Sequence, residues 1–197
     1  GTRARKTHTK SFDAFSSIDF PDIGVFYDKK LLCYIDERPE CPGAVFYDKL
    51  VPEILSIRVI PGMDPSVFDY ITAHCRGVVI ESFGVGGIPY YGDNAFEEKI
   101  AALMENGVRV VITTQVPHEG SNLSVYRVGH IIKEKYRVLE ASNMTTEAVI
   151  AKMMWALAYS ETREEFEKDM LKSYETMRKA GIEYKDAPIY IPPYEYY

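Results

Sequence analysis

The stretch from residue 55 to residue 114 leaves this chain few folds to choose from. "LSIRVI" is a short strand-like run. "DPSVFDYITAHC" reads as a helix opened by Asp64 and Pro65, and "GVVIES" is a continuous apolar run. "DNAFEEKIAALMENG" places Phe96, Ile100 and Leu103 on one helical face and stops at Gly107, after which "VRVVITT" is apolar again. Runs with no polar alternation are strands buried on both faces, as in parallel sheets. Strand, helix, strand, helix, strand therefore predicts an α/β domain with a small parallel, Rossmann-like sheet and right-handed crossovers.

In such a sheet ligands gather beyond the carboxyl ends of the strands. The loops after Ile80 and Thr113, "ESFGVGGIPYYG" and "TQVPHEGSNLSVYRVGH", are thus the places to seek function. Gly84, Gly86 and Gly87 lack the G-x-G-x-x-G register, and Pro89 stands where a phosphate-binding helix would begin, so a dinucleotide site is not expected. A tight turn or a close backbone approach explains these glycines better.

The last third reads as helical. "MTTEAVIAKMMWALAY" carries Val149, Ile150, Met153, Met154 and Leu157 at helical spacing behind Thr145, a candidate N-cap. "REEFEKDMLKSYETMRKAG" repeats the pattern with Phe166, Met170, Tyr174 and Met177, with Gly181 as its stop. The tail "YKDAPIYIPPYEYY" is too aromatic for ordinary disorder and too rich in proline for a strand interior. Between residues 24 and 55 two similar pieces occur, "GVFYDKKLLCYI" and "AVFYDKLVPEIL". Two copies fall short of a repeat architecture, and a coincidence of hairpin-like composition is expected.

Composition narrows the function classes. A chain of 197 residues with 46% hydrophobic content can bury a sizeable core, and a formal charge of −6 argues against a general nucleic-acid or anionic-membrane surface. Cys33, Cys41 and Cys75 show no metal-like spacing and read as reduced, buried thiols. No apolar run reaches bilayer length and no signal-peptide core opens the chain, which predicts a cytoplasmic protein with no metal, no nucleic-acid and no membrane partner.

Four segments in order, "KTHTKSFDAF", "ESFGVGGIP", "TTQVPHEGSNLSVYRVG" and "NMTTEAVIAKMMWAL", resemble the type I cytoplasmic bacterial L-asparaginases. The resemblance implies the C-terminal portion of such an enzyme. Residues 1–25 would then be the remnant of a larger N-terminal catalytic α/β domain, 26–52 an interdomain connection, and 53–197 the C-terminal domain. It implies hydrolysis of L-asparagine to L-aspartate and ammonia without a cofactor. The nucleophile would be a threonine upstream of this chain, helped by a second threonine, an aspartate and a lysine. A hydroxyl is a poor nucleophile at neutral pH and needs a base or a cation beside it. In the alignment of "KTHTKSFDAF" the lysine falls on Lys6, and the fragment alone is expected to be inactive.

The resemblance also marks departures. Ser82, Gly84 and Gly87 occupy the loop that approaches substrate or an interface, and Gly87 stands where family members often carry asparagine. An effector asparagine site known in the family uses an arginine, a cysteine and the residue before the lysine; here those positions hold Glu81, Val116 and Arg5. Glu81 would repel the carboxylate that an arginine binds. The implied ligands are L-asparagine or L-aspartate, and the implied assembly is a homodimer or homotetramer. Two alternatives stand beside hydrolysis: a non-catalytic amino-acid-binding or assembly module, and the asparaginase-like subunit of a tRNA-dependent amidotransferase.

Overall fold

The computed structural model describes residues 2–18, 24–34, 46–90 and 92–179. Its centre is a four-stranded parallel sheet of β5 (Ile54–Arg58), β6 (Gly77–Ser82), β7 (Arg109–Thr114) and β8 (Leu139–Glu140), in that order. Helices α1 (Val67–His74), α2 (Ala95–Glu105) and α3 (Arg127–Tyr136) make the crossovers, and α4 (Thr146–Tyr159) and α5 (Arg163–Lys179) follow. Two hairpins precede the sheet: β1 (Ala4–Lys6) with β2 (Phe15–Ser17), and β3 (Gly24–Tyr27) with β4 (Lys30–Cys33).

Strand order equal to chain order has a consequence for the layers. When every crossover is right-handed and every step moves the same way across the sheet, all crossover helices must cover the same face. They do so: Phe68 and Ile71 of α1, Phe96, Ile100 and Leu103 of α2, and Ile132 of α3 share one core with Val78, Ile80, Val110 and Ile112. The intervening strand residues, Val79 and Val111, point the other way and are covered by Val149, Met153 and Ala156 of α4 and by Phe166 and Met170 of α5. The unbroken apolar runs of β6 and β7 are thus two alternating sets, each with its own helical layer.

The helix starts are local chemistry. The Asp64 carboxylate accepts the Ser66 amide at 2.8 Å, which turns the chain into α1 and holds Asp64 below the usual carboxylate range. The hydroxyl of Thr145 accepts the Ala148 amide at 3.4 Å, capping α4 as its sequence predicts. At α5 the Thr162 hydroxyl accepts the Glu165 amide while the Glu165 carboxylate accepts the Glu161 and Thr162 amides, a reciprocal capping box.

The structure extends the sequence-based expectation at several points. Helix α3 begins inside the loop that follows Thr113 and runs on past His130, through a segment to which the sequence assigns no element, and β8 adds a fourth strand of two residues. The two "VFYDK" pieces are not equivalent. The first forms a two-residue hairpin with Asp28 and Lys29 both left-handed, at φ of 44° and 62°. The second is irregular and lies against α4, where the Asp48 and Lys49 amides donate to the Tyr159 hydroxyl and Tyr47 meets Trp155 edge-on. Cys33 is exposed on β4, contrary to the expectation of a buried thiol. Cys75 is half-buried at the end of α1, where burial pushes its thiol up. Phe12 and Phe15 are exposed and build no core of their own, yet Arg3 is 6% exposed, so residues 2–5 are better seated than an isolated edge would be. Cys41, Gly181 and the aromatic tail lie outside the described residues, as do the side chains of Tyr174 and Met177.

Candidate functional site

At the carboxyl edge of the sheet β6 ends with two side chains facing opposite ways. The Ser82 hydroxyl is fully buried and donates to the Thr113 carbonyl at 2.7 Å, joining β6 to β7. Glu81 points away from it and receives Nε and Nη2 of Arg58 at 3.1 and 2.8 Å on a single oxygen. The Gln115 side-chain Nε2 donates to the carbonyls of Val59 and Glu81 at 2.6 and 3.0 Å, so the ends of β5, β6 and β7 are tied across the edge.

The glycine segment folds back at once. Phe83 and Gly87 exchange backbone hydrogen bonds at 2.7 Å in both directions, and Gly84 lies at a left-handed φ of 49°. The Thr114 hydroxyl donates to the Gly84 carbonyl, and the Asn122 amide donates to the Val85 carbonyl, so the two loops after β6 and β7 are bound to each other. The Leu123 amide then donates to Glu140 at 2.6 Å, and Lys133 holds the other oxygen of that carboxylate at 2.8 Å.

Gly129, on α3, is the residue sequence reasoning passed over. A Cβ there would lie 2.7 Å from the Leu123 carbonyl oxygen and 2.9 Å from that of Gly86, and both obstacles are backbone. Gly86 in turn admits no side chain without pushing on Asn122 and Leu123, whose backbone atoms would sit 3.0 Å away. The glycines expected to serve a close backbone approach therefore do so, against the loop after β7. Gly129 carried no clear signal of its own, since it is the third residue of α3, in a segment that the sequence does not mark as helical. Gly129→Ala is expected to cost about 1–3 kcal/mol of stability. A chemical-denaturation midpoint checks it, and an unchanged midpoint would show that the loops separate freely.

A third component arrives from the start of the chain. The hairpin of β1 and β2 meets the first turn of α4: the Thr145 amide donates to the Thr2 carbonyl at 2.9 Å, and Arg5 pairs with Glu147 at 3.2 Å. Beneath it a shallow pocket of about 20 Å³ is lined by Arg3, Arg5, Thr114, Val116, Asn143 and Thr145, among others. Two of the three positions matched to the family's effector site, Arg5 and Val116, are thus brought together, and Glu81 is held by Arg58 instead. Lys6 is exposed on β1, opposite Phe15 in the hairpin register. Gly84 and Gly87 face Tyr126, whose ring or hydroxyl would lie 3.3–3.9 Å from a Cβ at either. Among the described residues no helix is long and apolar enough to cross a membrane, and no group of three or more His, Cys, Asp or Glu side chains could hold a metal ion.

Comparison with known proteins supplies the context for this arrangement. A family model described as the glutaminase/asparaginase C-terminal domain matches residues 53–170. The L-asparaginase of Thermococcus kodakarensis is 36% identical over 170 residues, covering 86% of this chain and 51% of that protein. A glutamyl-tRNA(Gln) amidotransferase subunit from Pyrococcus furiosus is 33% identical over 178 residues, covering 88% of this chain and 40% of that protein. Among solved structures, the thermostable L-asparaginase from Thermococcus kodakarensis superposes with a TM-score of 0.76 at 35% identity, over 86% of this chain and 51% of that one. L-asparaginase I from Vibrio cholerae superposes with a TM-score of 0.72 at 26% identity over the same shares. The chain spans about half the length, or less, of these relatives.

Proposed function

The chain belongs to the glutaminase/asparaginase family, and on that premise we propose that it is the C-terminal part of an amidohydrolase that converts L-asparagine to L-aspartate and ammonia. The observation that carries this reading is the likeness to an L-asparaginase, at 36% identity over 86% of the chain, joined to a TM-score of 0.76 with the solved enzyme. In this reading the nucleophile is a threonine outside these 197 residues, and Lys6 assists it as the cation that favours the alkoxide. Without a positioned nucleophile a single lysine supplies neither covalent catalysis nor the electrostatics that dominate the rate, so the described residues serve as one part of a larger catalytic unit. The exposure of Phe12, Phe15, Phe26 and Tyr27 supports this, because apolar surface of that extent is normally covered by further protein. The same reasoning favours residues 1–25 as a remnant of the catalytic domain, 26–52 as a connection and a homodimer or homotetramer as the assembly, and the resemblance to cytoplasmic L-asparaginases favours a cytoplasmic location.

A second reading is carried by a specific observation: an amidotransferase subunit acting on glutamyl-tRNA(Gln), by its name, is 33% identical over 88% of the chain. Here the same domain would serve a tRNA-dependent amide transfer. Ammonia release by the full-length polypeptide, measured with L-asparagine and then with glutamine and glutamyl-tRNA(Gln), separates the two. The first reading expects release from L-asparagine that ignores tRNA, and the second expects release that requires it. Amino-acid binding with no release under either condition would replace both with a binding module.

A further inference from the structure

Helix α4 does more than cover the sheet, because its first turn fixes the strand that carries Lys6. The Thr145 amide donates to the Thr2 carbonyl at 2.9 Å, and the Thr145 hydroxyl donates to the Ala4 carbonyl at 3.2 Å. That hydroxyl also accepts the Ala148 amide at 3.4 Å, so the atom that starts the helix holds the strand as well. One residue further along β1, Arg5 reaches a single oxygen of Glu147 with Nε and Nη2, both at 3.2 Å. Lys6 follows directly. Beyond it the Thr7 and His8 amides both turn to the Ala14 carbonyl, which closes the hairpin on itself and not on the domain.

We propose that Thr145 and Glu147 are positioning residues for Lys6, setting the place from which β1 presents its ammonium to the reacting hydroxyl. This rests on the reading of Lys6 as the assisting lysine. Lysine carries its charge on a flexible four-carbon stem, so its usefulness depends on where the backbone beneath it is held. A displacement of about 1 Å at a reacting group can cost on the order of 10²-fold in rate. The Glu147 side chain is 62% exposed, and an ion pair so exposed adds little to folding stability, so its role has to be read in kinetics.

The test uses the full-length polypeptide and steady-state ammonia release. Thr145→Asp keeps an acceptor for the Ala148 amide, but an ionised carboxylate has no proton for the Ala4 carbonyl, so it removes the side-chain contact to the strand, leaves the backbone bond to Thr2 and spares the cap. We expect kcat to fall about 10- to 100-fold with little change in KM, and Thr145→Ser, which keeps both roles, to restore it. Arg5→Glu and Glu147→Arg should each lower kcat roughly tenfold, and the double variant should recover most of that loss. A purely structural role would instead show losses of activity that track losses of thermal midpoint in every variant, both recovering together in the double variant, and that result overturns the proposal, as does a double variant with no recovery of kcat. Normal kcat in Thr145→Asp also overturns it. Should Thr145→Asp fail to fold, the charge exchange decides alone. Lys6→Ala is measured alongside: a large loss there with none in the α4 variants sinks the positioning inference only, whereas no loss there removes the catalytic reading beneath it.

Discussion

Lys6→Ala in the full-length polypeptide is expected to lower turnover by about 10² to 10⁴, the worth of a positioned acid–base group, with a much smaller effect on substrate binding. The expectation follows from charge. A threonine hydroxyl next to an ammonium ionises more readily, and deleting that charge raises its effective pKa and depletes the alkoxide. Lys6→Arg should not rescue turnover, because a guanidinium neither gives up its proton nor fits the space of a compact ammonium. Lys6→Met separates charge from packing by keeping an unbranched stem of similar length. Lys6 is exposed on β1, so none of these substitutions empties a core and a loss of turnover cannot be laid to unfolding. Near-normal ammonia release by Lys6→Met would return the segment around it to the status of a basic surface.

The parts of this fold that could be read in the sequence are those whose signals are local. The unbroken apolar runs of β6 and β7, the helical spacing of Phe96, Ile100 and Leu103, and the Thr145 cap each depend on a few consecutive residues, and each stands where it was expected. Helix α3 escaped because it is short and mostly polar, with Gly129 in its first turn, and that glycine is explained by the Leu123 and Gly86 carbonyls packed against it. Strand β8 is two residues long and has no periodicity to show. The charged turn at Asp28 and Lys29 was legible as hairpin-like composition, but its type was not: it needs two left-handed residues, and lysine is not a residue that announces them.

The site was legible only by resemblance, and the physical reason is distance along the chain. Arg5 meets Glu147, and Thr145 meets Ala4, across more than 140 positions. Nothing in the composition of either segment names the other. Glu81 shows the same limit. Taken alone, its carboxylate argues against an anion nearby, yet Arg58 neutralises it from the neighbouring strand. Ser82, next in sequence, is turned into the sheet, so its hydroxyl is committed to the Thr113 carbonyl and not offered to the loop.

Phe68→Ala is expected to produce the largest loss of stability, about 3–5 kcal/mol, because it empties a site at the junction of α1, α2 and the sheet. Phe68 is 1% exposed and meets Phe96 edge-on with ring centroids 5.5 Å apart, so truncation removes both buried area and an aromatic pair. For a domain of this size the loss corresponds to a fall of roughly 6 to 20 °C in the thermal midpoint. Tyr70, two residues along the same helix, provides the contrast. It is 59% exposed, and its ring meets that of His74 on the same helix at a tilt of 40° with centroids 4.5 Å apart. Tyr70→Ala should therefore change stability by no more than about 1 kcal/mol. The pair reads the orientation of α1 directly, since a rotation of this eight-residue helix by half a turn would exchange the two outcomes. Calorimetric unfolding of both variants decides it. Equal losses would mean that α1 does not present Phe68 to the core, and the crossover layer over β5 and β6 would have to be redrawn.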